Sequence, residues 1–252
     1  LAAEYLRKAA RRDPQRMRQS MLELMSEGED ATRRLSVEIL LATGEPAEVI
    51  LAVLMFSKDL VGWLRTRILE TLQTFGDEVL KPAAALLQHK DDKVRTAALV
   101  LAEKFEDPRL VGPVCKMLND EDWWLRISAC DTLARLKDER AVPHLVKALS
   151  HEEVRWAAID ALAQIGSTKA LKPLAQLLRD KRKEVRAEVV RAFGRFTDKR
   201  LLPLLKQVMD TDPTSEVRTL AAEVLREMSM RLKVQTDTSG TTMAFSSESM
   251  ER

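Results

Sequence analysis

Three histidines, two cysteines and a large set of regularly spaced arginines are the residues of this 252-residue chain best able to do chemistry. His89, His144 and His151 could act as bases or metal ligands, and His151 directly precedes Glu152. Metal binding normally takes three or four converging ligands, and this pair has no second copy in the chain, so no metal site is expected. Cys115 and Cys130 fall at apolar helical positions. That placement excludes a disulfide framework and predicts a reducing, cytoplasmic environment. The chain has no Walker loop, paired-glycine nucleotide fingerprint, HExxH, CxxC or GxSxG pattern. No catalytic residue and no cofactor are therefore expected, and the chain is expected not to be an enzyme.

The arginines are more informative. Arg65, Arg95, Arg126, Arg155, Arg186 and Arg218 each follow an apolar residue, at intervals of 30, 31, 29, 31 and 32. A weaker copy begins at Arg33. Asp59, Asp120, Asp180 and Asp212 stand six residues before Arg65, Arg126, Arg186 and Arg218. A fork of two hydrogen bonds between Asp and Arg across each joint would satisfy turn amides and fix the twist. Residues present in every copy are explained by the joint, so this ladder is read as structural.

The elements that carry the ladder follow from hydrophobic period. After each arginine, small or apolar residues recur at +3, +4 and +7, one stripe of an α-helix. A break follows near +11 or +12, as at Glu106-Asp107, Lys137-Asp138 and Gly166-Ser167, where one helix can end and the next be capped. A second helix then carries Pro82, Pro113, Pro143, Pro173 or Pro203 in its early turns, where a missing N–H costs little. Each repeat is an antiparallel helix pair of about 30 residues that can bury its apolar face only against its neighbours. Composition agrees: aromatics are 4%, only 8 Gly are present, and the charged share of 32% nearly cancels to a net +2. This points to an all-α chain and gives no global signal for a polyanion.

This pattern resembles the HEAT repeat, in the short bacterial variety also found in phycobilin-lyase subunits; the copy starting at Val154 is the cleanest. The resemblance implies a right-handed α-solenoid of about seven hairpins, with first helices on the convex side and second helices on the concave side. It also implies that an Asp in the turn between repeats pairs with the ladder Arg. Another HEAT family, the deoxyhypusine hydroxylases, binds iron through several His-Glu pairs, a set that one pair cannot assemble. The likeness to lyase subunits lies in the repeat and not in a catalytic signature. Residues 1–30 read as a helical capping pair, 31–232 as the solenoid, and 233–252 as a disordered Ser/Thr-rich tail or linker. The start at Leu1 reads as a cut from a longer chain.

A second column is the candidate binding surface. Arg109, Arg140, Lys169 and Arg200 recur at the start of successive second helices, spaced 31, 29 and 31. A cation there opposes the helix dipole, so local stability does not ask for it. Lys116 and Lys147 lie further along the same helices and give way to Gln176 and Gln207. The column is read either as a solvated rim balanced by Asp107, Glu139 and Asp198, or as a site for an acidic partner. No aromatic sits within it to stack a base, which disfavours nucleic acid. Trp63, Trp123, Trp124 and Trp156 lie at first-helix N-termini, and packing into the joint is the default for all four. If Trp123 and Trp124 are exposed together, they become a partner anchor.

The resulting expectation is a non-catalytic scaffold or regulatory module presenting a partly basic concave surface to another protein or to a neighbouring domain of its own chain. Its rivals are a phycobilin-lyase-like subunit, a nucleic-acid-binding HEAT protein, and a HEAT segment of a bacterial transporter or signalling protein. For the last, Arg7, Lys8, Arg11 and Arg12 would suit a position beside a membrane. No stretch of the chain reads as a membrane span.

Overall fold

A computed structural model describes residues 77–247, with side-chain packing over 80–232, together with helical Arg16 and Ser20. The capping pair 1–30, the early repeats and the ladder positions Asp59 and Arg65 lie outside the described residues, as does Trp63. The chain divides into two compact units, Leu1–Leu136 and Lys137–Arg252. Among the described residues every regular element is helical.

In the first unit these are α1 (Asp77–Leu86), α2 (Asp92–Phe105), α3 (Val111–Met117) and α4 (Trp123–Leu136). In the second they are α5 (Val142–Ala148), α6 (Arg155–Ile165), α7 (Leu171–Leu177), α8 (Lys183–Phe193), α9 (Leu201–Thr211) and α10 (Ser215–Ser247). Short 3-10 turns at Pro108–Leu110, Glu139–Ala141 and Thr168–Ala170 lead into α3, α5 and α7.

The start of α2 can be traced to local chemistry. Asp91, in extended backbone, accepts the Lys93 amide at 2.9 Å and opens α2. The +3, +4, +7 stripe then buries Ala98, Leu99 and Ala102, and in α6 it buries Ala158, Ile159 and Leu162. In three of the described hairpins the two helices are separated by a left-handed residue at +11 from the ladder arginine: Glu106 (φ 48°), Lys137 (φ 49°) and Gly166 (φ 72°). Gly takes that conformation freely, whereas Glu and Lys pay about 1–2 kcal/mol each. Gly194 is different. Its φ is −59°, and an added Cβ would lie 3.1 Å from the Arg191 carbonyl and 3.2 Å from Val224 Cγ1, so it allows α8 and α10 to approach closely.

The packing order repeats. In the first unit α2 packs on α4, and α3 also packs on α4; in the second, α6 packs on α8 and α8 on α10, with α7 and α9 filling the second row. First helices therefore stack on first helices, and each second helix lies against the following first helix. The largest wholly buried side chains include Phe193, Leu101, Leu125 and Leu133. The backbone of α10 runs on to Ser247. That stretch has no proline, so no residue in it lacks an N–H for the helical ladder.

Candidate functional site

The ladder arginines lie at the joints. Arg95 gives Nε and Nη2 to the two carboxylate oxygens of Asp120 at 2.8 and 2.9 Å, and both side chains are 8% exposed. Arg186 does the same to Asp212 at 2.8 and 3.0 Å, and also reaches Thr214 Oγ1 at 3.1 Å. Arg155 reaches Asp180 through one nitrogen at 3.3 Å and donates to the Leu149 carbonyl at 2.6 Å. Each Asp thus pairs with an arginine 25 or 26 residues before it. The arginine six residues after it uses a different acceptor: Arg126 donates to the Asp120 carbonyl at 2.6 Å, Arg186 to that of Asp180 at 2.9 Å, and Arg218 to that of Asp212 at 2.7 Å. One aspartate therefore links successive arginines, one through its carboxylate and one through its backbone. The same carboxylates accept turn amides, as from Asp122 to Asp120 (3.0 Å) and from Thr214 to Asp212 (2.9 Å). The Arg186 guanidinium holds the Asp212 carboxyl below its ordinary range, against the opposing effect of burial.

The basic column is answered locally. Asp107 caps the turn before α3 by accepting the Arg109 amide, and its carboxylate also takes the Arg109 guanidinium at 2.8 and 2.9 Å. Asp138 and Arg140 repeat this arrangement, as do Asp198 and Arg200. Lys169 departs from it: Ser167 is the cap, and the ammonium bonds Glu139 of the preceding turn at 2.7 Å. The cations that oppose the helix dipole are thus held by the carboxylates that favour it. These pairings lower the carboxyl pKa values of Asp107, Asp138 and Asp198, mainly through the arginine hydrogen bonds. Lys116 and Lys147 are both exposed.

The tryptophans depart from the default. Trp123, Trp124 and Trp156 are 53, 56 and 55% exposed. Trp123 and Trp124 meet edge to face with ring centres 5.7 Å apart and planes at 81°. The reason lies in helical phase. Trp156 stands one residue after Arg155, about 100° around the helix, so it leaves the buried +3, +4, +7 stripe.

The grooves of the second unit include one on the first-helix side and one between second helices. The larger, about 920 Å³, runs along the outer sides of α6, α8 and α10. Trp156, Ile159, Ala187 and Leu220 line it, with ion pairs Arg182–Glu152, Lys183–Glu216 and Arg191–Glu188 along its edges. It lies on the first-helix side, opposite to the side that the basic column singles out. The smaller groove, about 520 Å³, lies between α7 and α9. Neither groove contains a residue of the Arg109 column. The sequence reading placed Trp156 in the joint and so missed it as the groove's aromatic, and Lys172 of the smaller groove carried no repeat signal.

Of the histidines, His144 and His151 are exposed, and half-buried His89 accepts the Asp91 amide at Nδ1 (3.0 Å). Burial pushes the Cys130 thiol up to about 12, and Cys115 is also buried, so neither is placed as a nucleophile.

A family profile described as HEAT repeats matches residues 80–153 and 149–226, together more than half of the chain. The chain belongs to the HEAT-repeat family. The bilin biosynthesis protein PecE of Mastigocladus laminosus is 33% identical over 128 residues, covering 46% of this chain and 48% of that protein. The chain therefore spans about half the length of the curated relative it matches. Kap121p, in a mutant form, matches over 92% of this chain and 33% of its own, at 13% identity with a TM-score of 0.53, which shows a shared fold. The complex of CpcE and CpcF of phycocyanin lyase from Nostoc sp. PCC7120 matches at 22% identity with a TM-score of 0.46, covering 69% of this chain and 74% of that one.

The likeness to PecE corrects one expectation. The chain was expected not to be an enzyme because it lacks compact catalytic motifs, and the relative it matches is a bilin biosynthesis protein. Motif patterns detect chemistry held in a few consecutive residues. A repeat array spreads its surface over hairpins about thirty residues apart and leaves no such pattern. Stacked hairpins also form an extended surface of the kind used to bind other proteins. Among the described residues no helix is long and apolar enough to cross a membrane.

Proposed function

We propose that this chain is a HEAT-repeat subunit that takes part in bilin biosynthesis in the manner of the phycobilin lyases, working with a protein partner in the cytoplasm. The observation that carries this reading is the 33% identity to PecE over 128 residues. The surface supports it. Exposed Trp123 and Trp124 form a rigid apolar pair of the type that anchors protein interfaces. The reduced, buried cysteines fit the compartment. The basic column contributes little steering in this reading, because each of its cations already faces a carboxylate.

The test is incubation of the full chain with a linear tetrapyrrole and an apo-acceptor protein, with and without a second lyase-type subunit. A covalent mass gain on the acceptor that depends on this chain is the expected result. An acceptor that gains the same mass without this chain overturns the proposal.

A further inference from the structure

The groove between α7 and α9 combines two features that the first-helix groove lacks. Lys172 and Gln176 lie one turn apart on α7, Arg179 follows in the turn just after that helix, and all three are exposed. Neither Lys172 nor Arg179 has an ion pair among the described residues. The carboxylate in the wall is Asp212, 8% exposed and already held by both Arg186 nitrogens. Gln207 of α9 stands at the repeat position of Gln176, 31 residues on, and is exposed as well. Half-buried Leu204 supplies an apolar part of the wall.

A glutamine side chain offers one acceptor and one N–H donor pair, which matches a single peptide unit of an extended chain. Neighbouring helices lie about 8–10 Å apart, and an extended chain rises about 3.3 Å per residue. Two glutamines on neighbouring hairpins would therefore meet such a chain about three residues apart. Its side chains alternate to opposite sides. With the backbone seated on the glutamines, Lys172 lies on one flank and Arg179 on the other, each without a carboxylate of its own.

We propose that the α7–α9 groove binds an extended acidic peptide segment of a protein partner, Gln176 and Gln207 holding its backbone and Lys172 and Arg179 its carboxylates. This goes beyond the bilin reading and is tested without pigment, so the two fail separately.

The probe is a fluorescein-labelled decapeptide of alternating Glu and Ser, titrated with the full chain by fluorescence anisotropy. Saturable binding with a Kd below about 1 mM is expected. Lys172→Glu with Arg179→Glu weakens it at least about tenfold, and Gln176→Ala with Gln207→Ala at least about threefold. The same charge change on the first-helix groove, Lys183→Glu with Arg191→Glu, leaves it within about twofold. A decapeptide N-methylated at every second amide keeps its charge and loses its donors, and binds at least about threefold more weakly. All charged positions are exposed, and an unchanged helical circular dichroism signal confirms folding. The proposal is overturned by absence of saturable binding, by equal losses from the two charge reversals, or by equal affinity for the methylated peptide, which would mark simple attraction to a polyanion.

Discussion

Replacing Asp212 by Ala removes the partner of a buried cation. Arg186 and Asp212 are 6 and 4% exposed at their side chains and share two hydrogen bonds at 2.8 and 3.0 Å. The substitution also frees the Thr214 amide, bonded to the same carboxylate at 2.9 Å. Arg186 keeps Thr214 Oγ1 and the carbonyls of Asp180 and Lys181, which satisfy hydrogens and leave its charge unmatched. Breaking a buried pair from one side costs about 3–5 kcal/mol. The comparison is Asp198→Ala, where the paired Arg200 is 72% exposed and the loss is that of a helix cap, about 1 kcal/mol. A third variant, Arg186→Met with Asp212→Leu, removes both charges and recovers most of the loss. Urea unfolding followed by circular dichroism reads all three as midpoint shifts at constant slope. If Asp212→Ala costs no more than Asp198→Ala, or if the double variant is no better than the single, the joint is not held by this pair.

Acid should destabilise the chain through the same contacts. The carboxyl pKa values of Asp107, Asp138, Asp198 and Asp212 are lowered in the folded state, chiefly by arginine hydrogen bonds. Their contribution is fully present above about pH 4, the unfolded value, and is lost as pH falls through the lower folded values. Melting midpoints between pH 6 and pH 2 would show it, with a flat profile contradicting the pairings. Glu106→Gly and Lys137→Gly each relieve a left-handed residue and should stabilise by about 0.5–1 kcal/mol, whereas Gly166→Ala should cost about 1 kcal/mol, all read by urea midpoint. Trp123→Ala with Trp124→Ala removes exposed rings and should change stability by less than about 0.5 kcal/mol per site. A larger loss would place those rings in the core.

The hairpin architecture was legible because three signals coincide in each copy: the +3, +4, +7 stripe, the break at +11 and the proline early in the second helix. The joint was only half legible. Spacing showed that Asp120 and Asp212 belong with the arginines, but not that the carboxylate reaches back 25 or 26 residues while the carbonyl serves the arginine six residues ahead. That choice depends on how one hairpin stacks on the next. The column of Arg109, Arg140, Lys169 and Arg200 was visible as a period, and its meaning depended on Asp107, Asp138 and Asp198 two residues earlier. There an N-cap doubles as an ion-pair partner. The likeness to a bilin biosynthesis protein left no mark at any one position.

The most direct measurement of the functional account is an absorption titration of the full chain with a linear tetrapyrrole. The account predicts a saturable spectral shift with one bound pigment that an acceptor protein can take up covalently. A spectrum identical to that of the free tetrapyrrole at every protein concentration, with and without a second lyase-type subunit, would contradict it.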